Sequence, residues 1–77
     1  RLELRISSDS WVEVKSADGK SLLLGLLRKG ETRSVTGKAP MTVVLGNAAG
    51  VEVQVDGKLF ELSRYTRDNI ARFEINP

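Results

Sequence analysis

The sequence predicts an all-β fold, a small antiparallel β-sandwich or flattened barrel of seven to eight short strands. Three observations predict it. Apolar and polar residues alternate with a period of two along most of the chain, the pattern of strands with one buried and one solvated face. Clusters of Gly, Pro, Asn and Asp interrupt that pattern at short intervals, as sandwiches and barrels require. Only one stretch, "LSRYTRDNIARF", carries any helical signal.

The elements follow in order. In a strand near 2–7, Leu2, Leu4 and Ile6 alternate with Glu3 and Arg5. In the next, near 11–16, Val12 and Val14 alternate with Glu13. Asp18-Gly19 turns the chain into a strand near 21–26, and Lys29-Gly30 into one near 31–36. After the loop Gly37-Lys38-Ala39-Pro40, Met41, Val43 and Leu45 share one face of a strand near 41–46. "GNAAG" then leads into 51–56, where Val51, Val53 and Val55 alternate with Glu52 and Gln54. Asp56-Gly57 leads to a strand near 58–62. Both Asp-Gly pairs suit type I′ hairpin turns, in which the two central residues take positive φ. Ser63 is placed to cap a short turn, but Thr66, Asp68 and Asn69 are poor helix formers, so 63–69 reads as a loop or a single turn. The last strand, near 70–76, sets Ala71, Phe73 and Ile75 inward and Arg72 and Glu74 outward.

A chain of 77 residues makes one domain, 1–77. A domain of this size buries only about 60% of the surface its unfolded form exposes. It has no cysteine and no histidine, so neither a disulfide nor a Cys/His zinc site supports it. Twelve basic and ten acidic residues are interspersed, and a net charge of +2 reads as a solvated surface rather than a nucleic-acid footprint. The longest apolar run, "LLLGLL", is far short of a membrane span, so the chain reads as soluble as it stands. Its abrupt opening on "RLELRI" reads as a domain cut from something longer, a parent compatible with a membrane segment.

Catalytic chemistry finds little to work with. Ser-His and Cys-His nucleophiles are excluded by composition. Glu3, Glu13, Glu52 and Glu74 fall on the polar side of strands, as solvated residues do. Asp9, Asp18, Asp56 and Asp68 are scattered singly and lack calcium-loop spacing. "GNAAG" lacks the Lys-Ser/Thr ending and following helix of a phosphate loop, and Lys20 and Ser21 are strand neighbours pointing to opposite faces. No cofactor and no metal is expected. Arg64, Tyr65, Arg67 and Arg72 set one aromatic among basic residues, a single stacking platform that Glu61, Asp68 and Glu74 dilute.

Trp11 poses the sharpest question. Alternation puts it opposite to Val12 and Val14, yet it follows a polar turn, Ser8-Asp9-Ser10, at the start of a strand. Folded over the open end of the sandwich, it closes the core; left exposed, it is a platform for a glycan. The core-closing role is the expectation. A mostly buried Trp11 then makes Trp11→Ala a change of about 3 kcal/mol or more.

Read together, "SDSWVEVKSADGKSLLLGLLRKGE", "VTGKAPMTVVLGNAAGVEVQVDGK" and "LSRYTRDNIARFEIN" resemble the C-terminal domain of the bacterial cell-shape protein RodZ. The resemblance runs from about Leu2 to Asn76, most specifically through Trp11 to Val14, Gly37 to Pro40, Val55 to Lys58 and Leu62 to Arg64, with Asn69, Ala71 and Arg72. It implies a non-catalytic β-rich domain on the periplasmic side of the bacterial inner membrane, within a single-pass protein. In that family a cytoplasmic helix-turn-helix domain binds the actin-like filament protein MreB, and the protein links this cytoskeleton to cell-wall elongation and rod shape. Those contacts, with the membrane tether, belong to segments absent from this chain, so neither DNA nor the filament is an expected partner of this domain. The family's recurring Trp, Gly and Arg positions are matched by Trp11, Gly19, Gly57 and Arg64, which suit a structural role equally well.

The expected partners are proteins of the elongation complex, with direct peptidoglycan contact through Trp11 or Tyr65 as the alternative. Docking is expected in Ser63–Asn69, which fits no strand; loops on a rigid scaffold concentrate binding residues, and Arg and Tyr recur in interface hot spots. Tyr65 and Arg67 are the chosen residues. Arg64 is a candidate too, though pairing with a nearby glutamate explains it as well. Charges at Glu3, Arg5, Glu13 and Lys15 read as protection of edge strands against unwanted pairing.

Overall fold

The computed structural model describes residues 1–76. Nine strands form two antiparallel sheets stacked as an open sandwich: β1 Leu2–Ile6, β2 Ser10–Lys15, β3 Ser21–Leu27, β4 Thr32–Val35, β5 Met41–Leu45, β6 Val51–Val55, β7 Lys58–Leu59, β8 Thr66–Arg67 and β9 Ile70–Ile75. One sheet has the order β4-β1-β6-β7 and the other β3-β2-β5-β9-β8. The sandwich half of the expected fold holds, and the sheets do not close into a barrel.

Alternation decides the core. The four-stranded sheet sends Leu2, Leu4, Ile6, Val35, Val51 and Val53 inward; the other sends Val12, Val14, Leu27, Met41, Val43, Leu45, Ala71, Phe73 and Ile75. All are buried. Beside the buried Ala48 a polar network ties three loops together. Asn47 donates through Nδ2 to the Asp9 carbonyl at 2.9 Å and accepts from Asn69 Nδ2 at 2.6 Å. Asn69 Oδ1 in turn accepts the Ala49 N–H at 2.8 Å, and the buried Ser10 hydroxyl accepts the Asn47 N–H at 3.1 Å.

Four local expectations are corrected. The strand near 58–62 stops at Leu59, because Phe60 turns its ring onto Phe73, with centroids 4.7 Å apart, while its N–H still reaches the Val53 carbonyl. Residues 63–69 are not free of strand: Ser63–Tyr65 forms a single 3₁₀ turn, and Thr66–Arg67 pairs with Ile70–Ala71. Asp68 (φ 53°) and Asn69 (φ 62°) make that tight hairpin, since Asp and Asn tolerate positive φ better than other side chains. Asp56 (φ 51°) and Gly57 (φ 81°) likewise form the expected turn. At Asp18-Gly19, by contrast, only Gly19 is left-handed: the Gly19 N–H reaches the Ser16 carbonyl and the Ser16 N–H the Lys20 carbonyl, a longer loop with a bulge. Last, Glu3, Arg5, Glu13 and Lys15 lie on β1 and β2, which are interior strands, so they guard no edge.

Candidate functional site

The two outer faces differ. On the four-stranded sheet the outward positions of β1, β4 and β6 are Glu3, Arg5, Thr32, Ser34, Glu52 and Gln54. On the five-stranded sheet, cross-strand register brings Trp11 beside Leu26, and Glu13 beside both Leu24 and Val44. Leu24 is 61% exposed, Leu26 49% and Trp11 45%. An apolar patch therefore lies on the solvent side of β3, β2 and β5.

Trp11 does not close the core. The inward positions of β2 belong to Ser10, Val12 and Val14. The indole lies on the outer face and its Nε1–H donates to Glu13 Oε2 at 2.9 Å. This reverses the expected stability effect. Trp11→Ala is expected to change unfolding free energy by less than about 1 kcal/mol, as surface substitutions do. Chemical denaturation checks that value, and folded-state emission close to that of free indole checks the exposure.

At the opposite edge of the same sheet, Tyr65, Arg67, Asp68, Ile70 and Arg72 line a shallow groove. The structure thus brings Tyr65 and Arg67 together, while Arg64 sits on the 3₁₀ turn and does not line the groove. Tyr65 is half in and half out: its ring stacks on Phe60 at 5.6 Å and approaches Phe73 at 6.0 Å, yet 45% of the residue is exposed. Among the described residues Arg64 does not pair with a glutamate. Side-chain ion pairs there join Arg1 to Glu3, Arg28 to Asp9 and Arg33 to Glu31.

Two carboxylates at turns are shifted from their ordinary values. Asp18 is held below its ordinary carboxylate pKa by the Ser16 hydroxyl, then by the Lys20 N–H. The Arg28 N–H and then the Arg33 guanidinium lower Glu31. Both stay ionised and both fasten loops. No cluster of metal-ligating side chains occurs among the described residues, and no helix there is long and apolar enough to cross a membrane.

Sequence reasoning missed Leu24, Leu26 and Val44. A signal existed for the first two: "SLLLGLL" breaks the alternation and loads both faces of one strand with leucine. Taken as a run it reads as a buried strand, and only the sheet order shows that β3 is an edge.

Fold and surface together define a class: small β-sandwiches with an apolar patch on one outer sheet face. The family model for the RodZ C-terminal domain matches residues 3–74, and the chain belongs to that family. It is a structural, non-catalytic family. No solved structure matches the chain.

Proposed function

We propose that this chain is a non-catalytic interaction domain on the periplasmic side of the bacterial inner membrane. In this reading it is part of a single-pass RodZ-like protein that links the MreB cytoskeleton to cell-wall elongation and rod shape. Its direct partners are proteins of the elongation complex; the filament contact and membrane tether reside elsewhere in the parent. One observation carries the reading beyond the family: apolar residues gather on one outer face, where contiguous exposure marks interaction surfaces, while the opposite face carries one exposed leucine, Leu59, among polar residues. Tyr65 and Arg67 form part of the docking surface, with Arg72 beside them and Arg64 at its border.

The exposed Trp11 favours a second reading, a module that stacks on peptidoglycan sugars. Leu24 and Leu26 beside it fit a protein better, because sugar platforms are usually built from several aromatics.

Within the full-length protein, Tyr65→Ala combined with Arg67→Ala should weaken crosslinking to the elongation complex and round the cells. Circular dichroism of the 77-residue chain should show that the double variant stays folded. Unfolding would make the segment structural. A folded variant with normal crosslinking and rod shape would remove the docking role of these two residues. Co-sedimentation with purified peptidoglycan that Trp11→Ala abolishes would favour the glycan reading instead.

A further inference from the structure

We propose that the open edge of β3 is a strand-addition site for an extended partner segment with alternating apolar residues and acidic residues at both ends. This deepens the interaction-domain reading and rests on it. Backbone direction supplies the first argument. The Trp11 carbonyl accepts the Gly46 N–H at 2.7 Å, so Trp11, Glu13 and Lys15 turn their peptide groups toward β5. Ser10, Val12 and Val14 therefore turn theirs toward β3, and Ser16 continues the pattern by donating to the Lys20 carbonyl at 2.9 Å. In register, Ser10 faces Leu27, Val12 faces Gly25 and Val14 faces Leu23, which commits the peptide groups of those three β3 residues to β2. The N–H and C=O of Leu24 and Leu26 are left on the open edge. Their side chains are also the two leucines standing on the outer face.

Edge length supplies the second argument. The strand β3 has seven residues, against four in β4 and two each in β7 and β8, so it is the longest unpaired edge among the described residues. Long apolar edges are unusual in natural sheets, which normally shorten, charge or cover them.

Charge selects the occupant. Lys20 precedes β3, Arg28 and Lys29 follow it, and Lys15 lies opposite Ser21. Asp9 is paired with Arg28 and Glu31 with Arg33, which leaves Lys29 in excess at one end; at the other Lys15 and Lys20 outnumber the ionised Asp18, and Glu13 lies between the ends, opposite Leu24. Each end of the edge therefore keeps an excess of positive charge. An antiparallel second copy would set the Lys15–Lys20 end against the Lys29 end, and a parallel one would set Lys20 against Lys20, and like charges facing each other destabilise a strand pair. Acidic ends reverse the sign, while alternate apolar side chains extend the Leu24, Leu26 and Trp11 surface.

The test is an NMR titration of the 77-residue chain with a peptide of alternating valine and threonine carrying glutamates at both ends, alongside its lysine-ended counterpart. The glutamate-ended peptide should shift the Leu24 and Leu26 amides and slow their hydrogen exchange. Leu24→Pro should weaken binding about tenfold, since it deletes an edge N–H at a place where strands tolerate proline. Lys20→Glu with Lys29→Glu should transfer the preference to the lysine-ended peptide, and this pair decides the matter if Leu24→Pro does not fold. Shifts confined to the Tyr65–Arg72 groove, equal binding of both peptides, or self-association through β3 would each overturn the proposal. In the full-length protein the two readings separate. If removing the whole domain leaves the elongation-complex contact intact, the interaction-domain reading fails. If removal abolishes the contact but the charge reversal does not weaken it, only the β3 site fails.

Discussion

Phe73→Ala is expected to cost about 3–5 kcal/mol, the range of buried phenylalanine truncations. Few single changes here should do more. A domain of 77 residues holds a net stability of roughly 4–12 kcal/mol, so the loss would bring the domain near its unfolding midpoint at the low end of that range and weaken it while still folded at the high end. Phe73 projects inward from β9 opposite Val43 and is buried. Its ring stacks on Phe60 at 4.7 Å and meets Tyr65 at 6.0 Å, so it anchors the whole connection between β7 and β8. Truncation opens a cavity between the sheets and also removes the surface on which Phe60 and Tyr65 rest. Urea denaturation followed by circular dichroism measures the loss, with Phe73→Leu as the milder reference. A midpoint unchanged from the parent would show that the aromatic cluster does not hold the sandwich. The same variant should also mobilise Tyr65, which ties half of the candidate docking groove to the core.

Gly50→Ala should be the next largest, at about 2 kcal/mol or more, because overpacking without room to relax is destabilising. A Cβ at this position would lie 2.7 Å from the Ser8 carbonyl oxygen and 2.8 Å from both Ser8 Cβ and Asn47 Nδ2. The Ser8 backbone has little room to retreat. The Gly50 carbonyl accepts the Ser7 N–H at 2.8 Å and the Ser8 N–H at 3.3 Å, and Ser8 adjoins the Asn47–Asn69 network. Gly57→Ala provides the contrast: φ is +81° there, but no atom lies within 4 Å of the added carbon. Its effect is the backbone strain alone, about 1 kcal/mol. Thermal melting of the two variants side by side checks the order. If Gly57→Ala is the more damaging, the tight contact at Gly50 is not what limits this end of the fold.

Much of the fold was legible because period-two alternation is a local property. Leu2, Leu4 and Ile6, or Val51, Val53 and Val55, declare a buried face without reference to any other strand. Turn chemistry is local only in part: Asp56-Gly57 takes positive φ at both residues as expected, whereas at Asp18-Gly19 only the glycine does. Legibility failed where two short elements depend on each other. Thr66 and Arg67 have no strand signature of their own, and they pair with Ile70 and Ala71 only because Asp68 and Asn69 turn the chain back on itself. Phe60 continues an apparent strand, but its ring leaves the sheet for the aromatic cluster.

The candidate site was less legible than the fold. The groove of Tyr65 and Arg67 could be pointed to from composition, since one aromatic among arginines stands out along the chain. Trp11 was harder, because alternation placed it outward while its size and its position after a turn argued for burial. The alternation prevailed, since Ser10, Val12 and Val14 already filled the inward positions of β2. By itself, then, the sequence determined the longer strands, their inner faces, the lack of histidine and cysteine chemistry, and the resemblance to the family. Only the tertiary structure decided that β3 lies at an edge, that Leu24 and Leu26 face solvent, and that β1 and β2 are interior. The physical reason is that a strand's inner face is set by its own residues, whereas its place in the sheet is set by which other strands form hydrogen bonds with it.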